Sequence, residues 1–351
     1  MARRFPIAAL LLVGACTIQR TPGPAALAKT PTAARLSGAM GGMDDHSAHM
    51  RAEDLAAPST AGSVSVQDLA LPPSNSAAPD RLKNSRRHGE WVKIAYEPGS
   101  ADSLMAWVVY PFAKDSREKA PVVVVVHEIF GLSTWVRGVA DQVAADGFIA
   151  IAPDFLSKVR GGPSSEELRS DSASRIIRSL TAADKNRTII AAANYAMMLP
   201  SAQQKYSVIG YCWGGTAVWN HAVNGGVKGY SGGVAFYGAP YTKGGSPATP
   251  TTAAVPAQVD TDSLARITKP VMLLNGTKDA RIGALMPEID AFMMSAKKEY
   301  TGVNYDGAVH GFLRAQSDPK PTRDEAEEAA NVAATKDGWP RTVAFLKRVM
   351  R

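Results

Sequence analysis

From about residue 84 the chain alternates strand-like and helix-like patterns of apolar positions. Residues 91–97 and 104–110 read as a pair of strands, and five consecutive valines at 122–126 predict a strand buried on both faces. Helical spacing over 133–146 stops at Gly147, after which 148–151 is another strand closed by Pro153. Further helices are predicted over 183–199, 213–223, 285–296 and 324–350, and further strands over 206–209, 233–237, 271–274 and 300–305. Strands alternating with helices imply an α/β fold, a mostly parallel central sheet flanked by helices on both faces. No internal repeat is visible. A Thr-, Ala-, Pro- and Gly-rich stretch at 241–262 interrupts the rhythm and reads as a surface insertion.

The beginning of the chain has no such rhythm. Arg3 and Arg4 precede an apolar stretch at 5–15, the charged and hydrophobic regions of a secretory signal too short to span a bilayer. Val13-Gly14-Ala15-Cys16 resembles the bacterial lipobox, so 1–15 is expected to be removed and Cys16 lipidated; Ala26-Leu27-Ala28 is a less well placed cleavage site. The expectation is an exported protein, periplasmic or anchored to a membrane through a lipid at Cys16. Residues 16–83 are dominated by Ala, Pro, Ser, Thr and Gly, which cannot offset their ordering entropy, and read as a disordered tether to a catalytic domain at 84–351. Within the tether, Met40, Met43, His46, His49 and Met50 form a thioether and imidazole cluster suited to soft copper or zinc. A polar linker that happens to contain these residues is the simpler reading, and no metal or other cofactor is assigned.

Composition narrows the function classes. With 45% hydrophobic residues in 351, the chain can bury a large core. Its 39 Lys and Arg against 32 Asp and Glu give a mildly basic net charge of +7, scattered rather than gathered into a face, so no nucleic-acid partner is expected. Only two cysteines occur, Cys16 and Cys212, so no disulfide framework supports the fold.

Cys212 stands at the centre of GYCWGG, residues 210–215, between a predicted strand and a predicted helix. Gly-x-Cys-x-Gly in that context is the thiol form of the nucleophile elbow, a sharp turn in which flanking side chains would clash. A lone buried cysteine is also a common small core residue, and the reading depends on its companions. A cysteine nucleophile needs a base and a group to orient that base. Asp279 follows the strand at 271–274 and His310 follows the strand at 300–305, both at the carboxyl ends where an open α/β sheet gathers its chemistry. Taken singly, Asp279 could cap a helix and His310 could be a loop histidine; together they complete the order nucleophile, acid, histidine. The strand of valines ends in His127-Glu128-Ile129-Phe130-Gly131, where the backbone N–H of Ile129 and that of Trp213 are placed to form an oxyanion hole. Glu128 should lie at the mouth of the site, or else form a structural ion pair.

HEIFG at 127–131, PDF at 153–155, GYCWGG at 210–215, FYG at 236–238, NGTKD at 275–279 and HGF at 310–312 together resemble the dienelactone hydrolases, also called carboxymethylenebutenolidases, across 84–351. The resemblance implies the α/β-hydrolase fold and the roles of Cys212 as nucleophile, Asp279 as orienting acid and His310 as base. It also implies that Glu128 pairs with the resting thiol and that Arg314 binds a substrate carboxylate. A second substrate arginine is not marked by a motif; Arg160, Arg169, Arg175 and Arg178 all compete. The expected reaction is hydrolysis of a small-molecule lactone or ester through a thioester. A broad carboxylesterase or thioesterase, and a catalytically silent metal-binding surface lipoprotein, are the alternatives.

Overall fold

The computed structural model describes residues 68–112, 118–164, 170–245, 252–253 and 255–351. The leader, Cys16, the cluster from Met40 to Met50, Arg169 and part of the 241–262 stretch lie outside the described residues.

The five valines form the centre of β3 (Ala120–Val126), each with no exposed surface. Successive side chains on a strand point to opposite faces, so complete burial of all five means that both faces are covered. Around β3 an eight-stranded sheet runs in the order β1-β2-β4-β3-β5-β6-β9-β10. β1 (Gly89–Ala95) and β2 (Ser103–Val109) pair antiparallel, and β2 pairs antiparallel with β4 (Ile149–Asp154). From β4 onward the pairings are parallel, through β5 (Ala202–Tyr211), β6 (Tyr230–Phe236), β9 (Val271–Gly276) and β10 (Tyr300–Tyr305). This is the predicted α/β architecture. The stretch at 241–262 contributes a separate two-stranded pairing of β7 (Thr242–Lys243) with β8 (Gln258–Val259).

The helices are α1 (Ala78–Asn84), α2 (Thr134–Ala145), α3 (Ser157–Arg160), α4 (Ser170–Ser179), α5 (Ala182–Met197), α6 (Trp213–Asn224), α7 (Thr261–Ala265), α8 (Ala280–Ser295), α9 (Phe312–Ala315) and α10 (Glu325–Val349). Some of their starts are capped by side chains. Thr181 and Asp184 form a reciprocal capping box at α5, and Asp324 Oδ1 accepts from Glu327 N–H at 2.8 Å to open α10. The pattern did not predict α4, whose polar sequence offers little beyond Ala173 and Ile177, both buried one turn apart. Among the described residues, no helix is long and apolar enough to cross a membrane.

The composition-based limit of the tether at residue 83 does not match the packing. Residues 71–74 are buried, and α1 packs on α2. The Pro73 carbonyl accepts from Trp135 Nε1 at 3.0 Å, and that of Pro72 accepts from Gln316 Nε2 at 2.9 Å. Asn75 N–H donates to the Arg314 carbonyl at 2.9 Å, and Ser76 donates to both oxygens of Asp318 through its N–H and hydroxyl, at 2.8 and 2.6 Å. Averaging over a long polar stretch hides Leu71-Pro72-Pro73, whose prolines have little backbone freedom to lose on ordering. This strap reaches the loop that follows His310.

Candidate active site

β5 ends at Tyr211 and α6 begins at Trp213, leaving Cys212 alone to make the turn. Its backbone takes φ 55° and ψ −117°, a strained conformation for a residue with a side chain. The turn is possible because its neighbours are glycine. A Cβ on Gly210 would lie 2.2 Å from the Gly214 carbonyl oxygen, and one on Gly214 would lie 2.4 Å from that of Val126 and 2.6 Å from that of His127. Cys212 N–H donates to the Phe236 carbonyl at 3.0 Å, tying the elbow to β6. The thiol is free and fully buried.

Asp279 closes β9 and opens α8. One carboxylate oxygen accepts from Ile282 N–H at 3.2 Å as a helix cap, and the other lies 2.5 Å from His310 Nδ1. Asp279 thus both caps α8 and lies against the His310 imidazole. Burial works to raise the Asp279 carboxyl, but the neighbouring His310 outweighs it and holds the group below its usual range. His310 is affected in the opposite sense. Burial disfavours its charge, yet the Cys212 sulfur first and Asp279 second push its pKa up to about 10. Nδ1 is committed to Asp279, so Nε2 is the nitrogen available for the sulfur; it is buried and has no hydrogen bond of good geometry. Cys212, His310 and Asp279 are thus brought together as an electrostatically linked group.

Glu128 is 1% exposed, and its Oε2 lies 3.0 Å from Arg314 Nε, a buried ion pair whose angle is too poor for a hydrogen bond. The guanidinium also sits over the Phe130 ring, 5.2 Å from its centroid. The structure therefore joins the two residues singled out separately, and the carboxylate's charge partner is the arginine. Among the described residues, neither the Ile129 nor the Trp213 N–H is bonded to a backbone carbonyl. Arg175 and Arg178 occupy exposed positions on α4, and Arg160 donates to the Pro163 carbonyl in its own loop at 3.2 Å. A base not singled out in the sequence does reach the elbow: Lys185 Nζ lies 5.1 Å from the Trp213 ring centroid.

Two further residues of the motifs enter the site. Tyr237 has φ 40°, its ring lies 5.0 Å from that of His310, and its buried hydroxyl has no partner. Burial raises this phenol far above its ordinary value, with Glu128 adding to the effect. His127 is fully buried, its Nδ1 2.6 Å from the Glu128 carbonyl oxygen and its Nε2 3.1 Å from Phe155 N. FYG and HEIFG marked the place of each; neither contact is visible in a linear motif. Among the described residues no group of three or more His, Cys, Asp or Glu is arranged to hold a metal ion.

Residues 108–350 match the dienelactone hydrolase family. A Salmonella typhimurium protein named "Putative carboxymethylenebutenolidase" is 28% identical over 255 residues, covering 71% of this chain and 84% of its own length. A Synechocystis protein of the same name is 29% identical over 227 residues, covering 63% and 83%. The crystal structure of a "Putative Dienelactone Hydrolase" from Klebsiella pneumoniae superposes with a TM-score of 0.54 at 23% identity, over 74% of this chain and 99% of that one. At that identity the superposition speaks for the α/β-hydrolase fold alone.

Proposed function

Because the chain belongs to the dienelactone hydrolase family, a family of hydrolases, we propose that it cleaves a lactone or carboxylic ester through Cys212 and a thioester intermediate. The observation that carries this reading is the strained apex cysteine beside a histidine whose other nitrogen lies 2.5 Å from a buried carboxylate. The raised basicity of His310 suits it to carry a proton beside the Cys212 sulfur as that sulfur attacks. The thiolate attacks the carbonyl carbon, and the oxyanion takes hydrogen bonds from Ile129 and Trp213. As the intermediate collapses, the carbon–oxygen bond to the leaving group breaks and His310 gives that oxygen its proton. Neutral His310 then takes a proton from water, hydroxide attacks the thioester, and release of the acid returns the thiolate.

Arg314 suits the binding of a substrate carboxylate, which would compete with Glu128 for the same guanidinium. The family resemblance implies that Glu128 guards the resting thiol, and a substrate anion that displaces Glu128 would end that guard. Assays of Cys212→Ala and His310→Ala on p-nitrophenyl esters and lactones test the mechanism: each should lose at least about a thousandfold in kcat, and wild-type rates in both would end it. Arg314→Ala tests the substrate class. It should raise KM for acidic lactones about tenfold or more while leaving neutral esters near wild type, and equal effects on both would favour a broad esterase.

We also propose export and lipidation at Cys16, which would leave Cys212 the sole thiol of the mature protein. Labelled fatty acid should enter the wild type and not Cys16→Ala; equal labelling of the two would exclude the anchor.

A further inference from the structure

One donor of the oxyanion hole belongs to the peptide shared by Glu128 and Ile129. In a trans peptide the carbonyl oxygen and the N–H point in opposite directions, so a group that holds the oxygen also aims the hydrogen. The Glu128 carbonyl is held twice, by His127 Nδ1 at 2.6 Å and by Gly131 N–H at 3.3 Å. The second contact of His127 fixes its tautomer. Nε2 accepts from Phe155 N–H at 3.1 Å and must be unprotonated, so Nδ1 carries the hydrogen donated to the Glu128 carbonyl. The imidazole has no exposed surface, and burial lowers its basicity and keeps it neutral.

The same ring touches the residue that supplies the other donor. It stacks on the Trp213 indole at 5.9 Å between centroids and 16° between planes, while Phe155 meets both rings edge-on at 5.2 and 5.1 Å. The elbow approaches the His127 backbone at Gly214, whose Cβ position lies 2.6 Å from the His127 carbonyl oxygen. His127 thus contacts both halves of the hole without contacting the Cys212, His310 and Asp279 side chains among the bonds described.

We infer that His127 is a positioning residue of the oxyanion hole, a neutral imidazole that pins the 128–129 peptide and braces Trp213, so that two backbone N–H groups are held ready for one oxyanion. This rests on the thioester mechanism proposed above. It assigns His127 no proton transfer, although the residue adjoins Glu128 and faces the elbow.

The test separates oxyanion stabilisation from thiolate formation. Iodoacetamide alkylates a thiolate by displacement and develops no carbonyl oxyanion, whereas ester turnover develops one. His127→Phe keeps a stacking ring and removes both hydrogen bonds. It should lower kcat for esters about tenfold to a hundredfold, with KM and the Cys212 alkylation rate changed by less than about twofold. His127→Gln, whose amide can donate to Glu128 and accept from Phe155, should recover most of the loss. An unchanged kcat in His127→Phe, or alkylation falling in step with kcat, would overturn the inference. Should His127→Phe fail to fold, ¹⁵N-histidine NMR of the intact wild type still decides. A protonated Nδ1 with bare Nε2 is expected, and the opposite tautomer or an imidazolium overturns the pin. Undiminished hydrolysis by Cys212→Ala would instead refute the thioester mechanism and take this inference with it, whatever the tautomer.

Discussion

Cys212 is held by backbone packed against backbone, whereas His310 is held by side chains that could be exchanged one at a time. Around the elbow, the gaps at Gly210 and Gly214 are bounded by carbonyl oxygens that cannot rotate aside. On the other arm, Gly311 takes φ 77° after the histidine, but a Cβ there would find its nearest atom, at the end of Arg314, 3.7 Å away. That arm depends instead on Asp279 at the imidazole and on Gln316 and Asp318 reaching back to the strap. The place of Cys212 is set by what cannot be added, and that of His310 by contacts that can be removed singly.

The sharpest way to break this contrast is a matched pair of alanines. Gly214→Ala should cost at least about 2–3 kcal/mol and most of the activity, because the new Cβ meets two carbonyls. Gly311→Ala should cost only about 1–2 kcal/mol, the penalty of a left-handed backbone without a clash. Urea unfolding compares them, and equal losses would abolish the distinction.

A smaller effect follows from charge. His310 is raised in the folded state from its ordinary 6.5 to about 10, so its contribution to stability is complete below about pH 6.5 and fades as pH rises towards 10. Asp279 is lowered, so its contribution is present above its ordinary value of 3.8 and is lost as the solution becomes more acid. The unfolding free energy of wild type relative to His310→Gln should therefore be most favourable at about pH 5–6 and shrink steadily towards pH 10. A difference independent of pH would show that packing rather than charge holds His310. Smallest is the strap: Ser76→Ala removes one of two bonds to Asp318 and should cost about 0.5–1 kcal/mol, with kcat reduced less than about threefold. A larger fall in kcat than in stability would make the strap part of what aligns His310.

The contrast also explains what could be read in the sequence. Five valines, the paired glycines about Cys212, and the places of Asp279 and His310 after strands are local patterns, and each lies where its pattern predicted. The Glu128–Arg314 pair, the Phe155 contact of His127 and the partnerless Tyr237 hydroxyl depend on segments far apart in the chain. α4 and the strap were hidden because short apolar clusters vanish within polar surroundings. Thus the elbow was legible from its own residues, while the residues that position and charge it required three dimensions.

The strap also bears on the order in which the molecule is completed. Its bonds to Asp318 and Gln316 join positions 242 and 244 residues apart, whereas its bond to Trp135 spans 62. During synthesis from the amino terminus, the near anchor can close early and the far ones only after almost the whole catalytic domain has emerged. The loop that carries His310 thus receives its last support from some of the first-made residues of the domain, and a chain halted before Arg314 would lack all the far anchors.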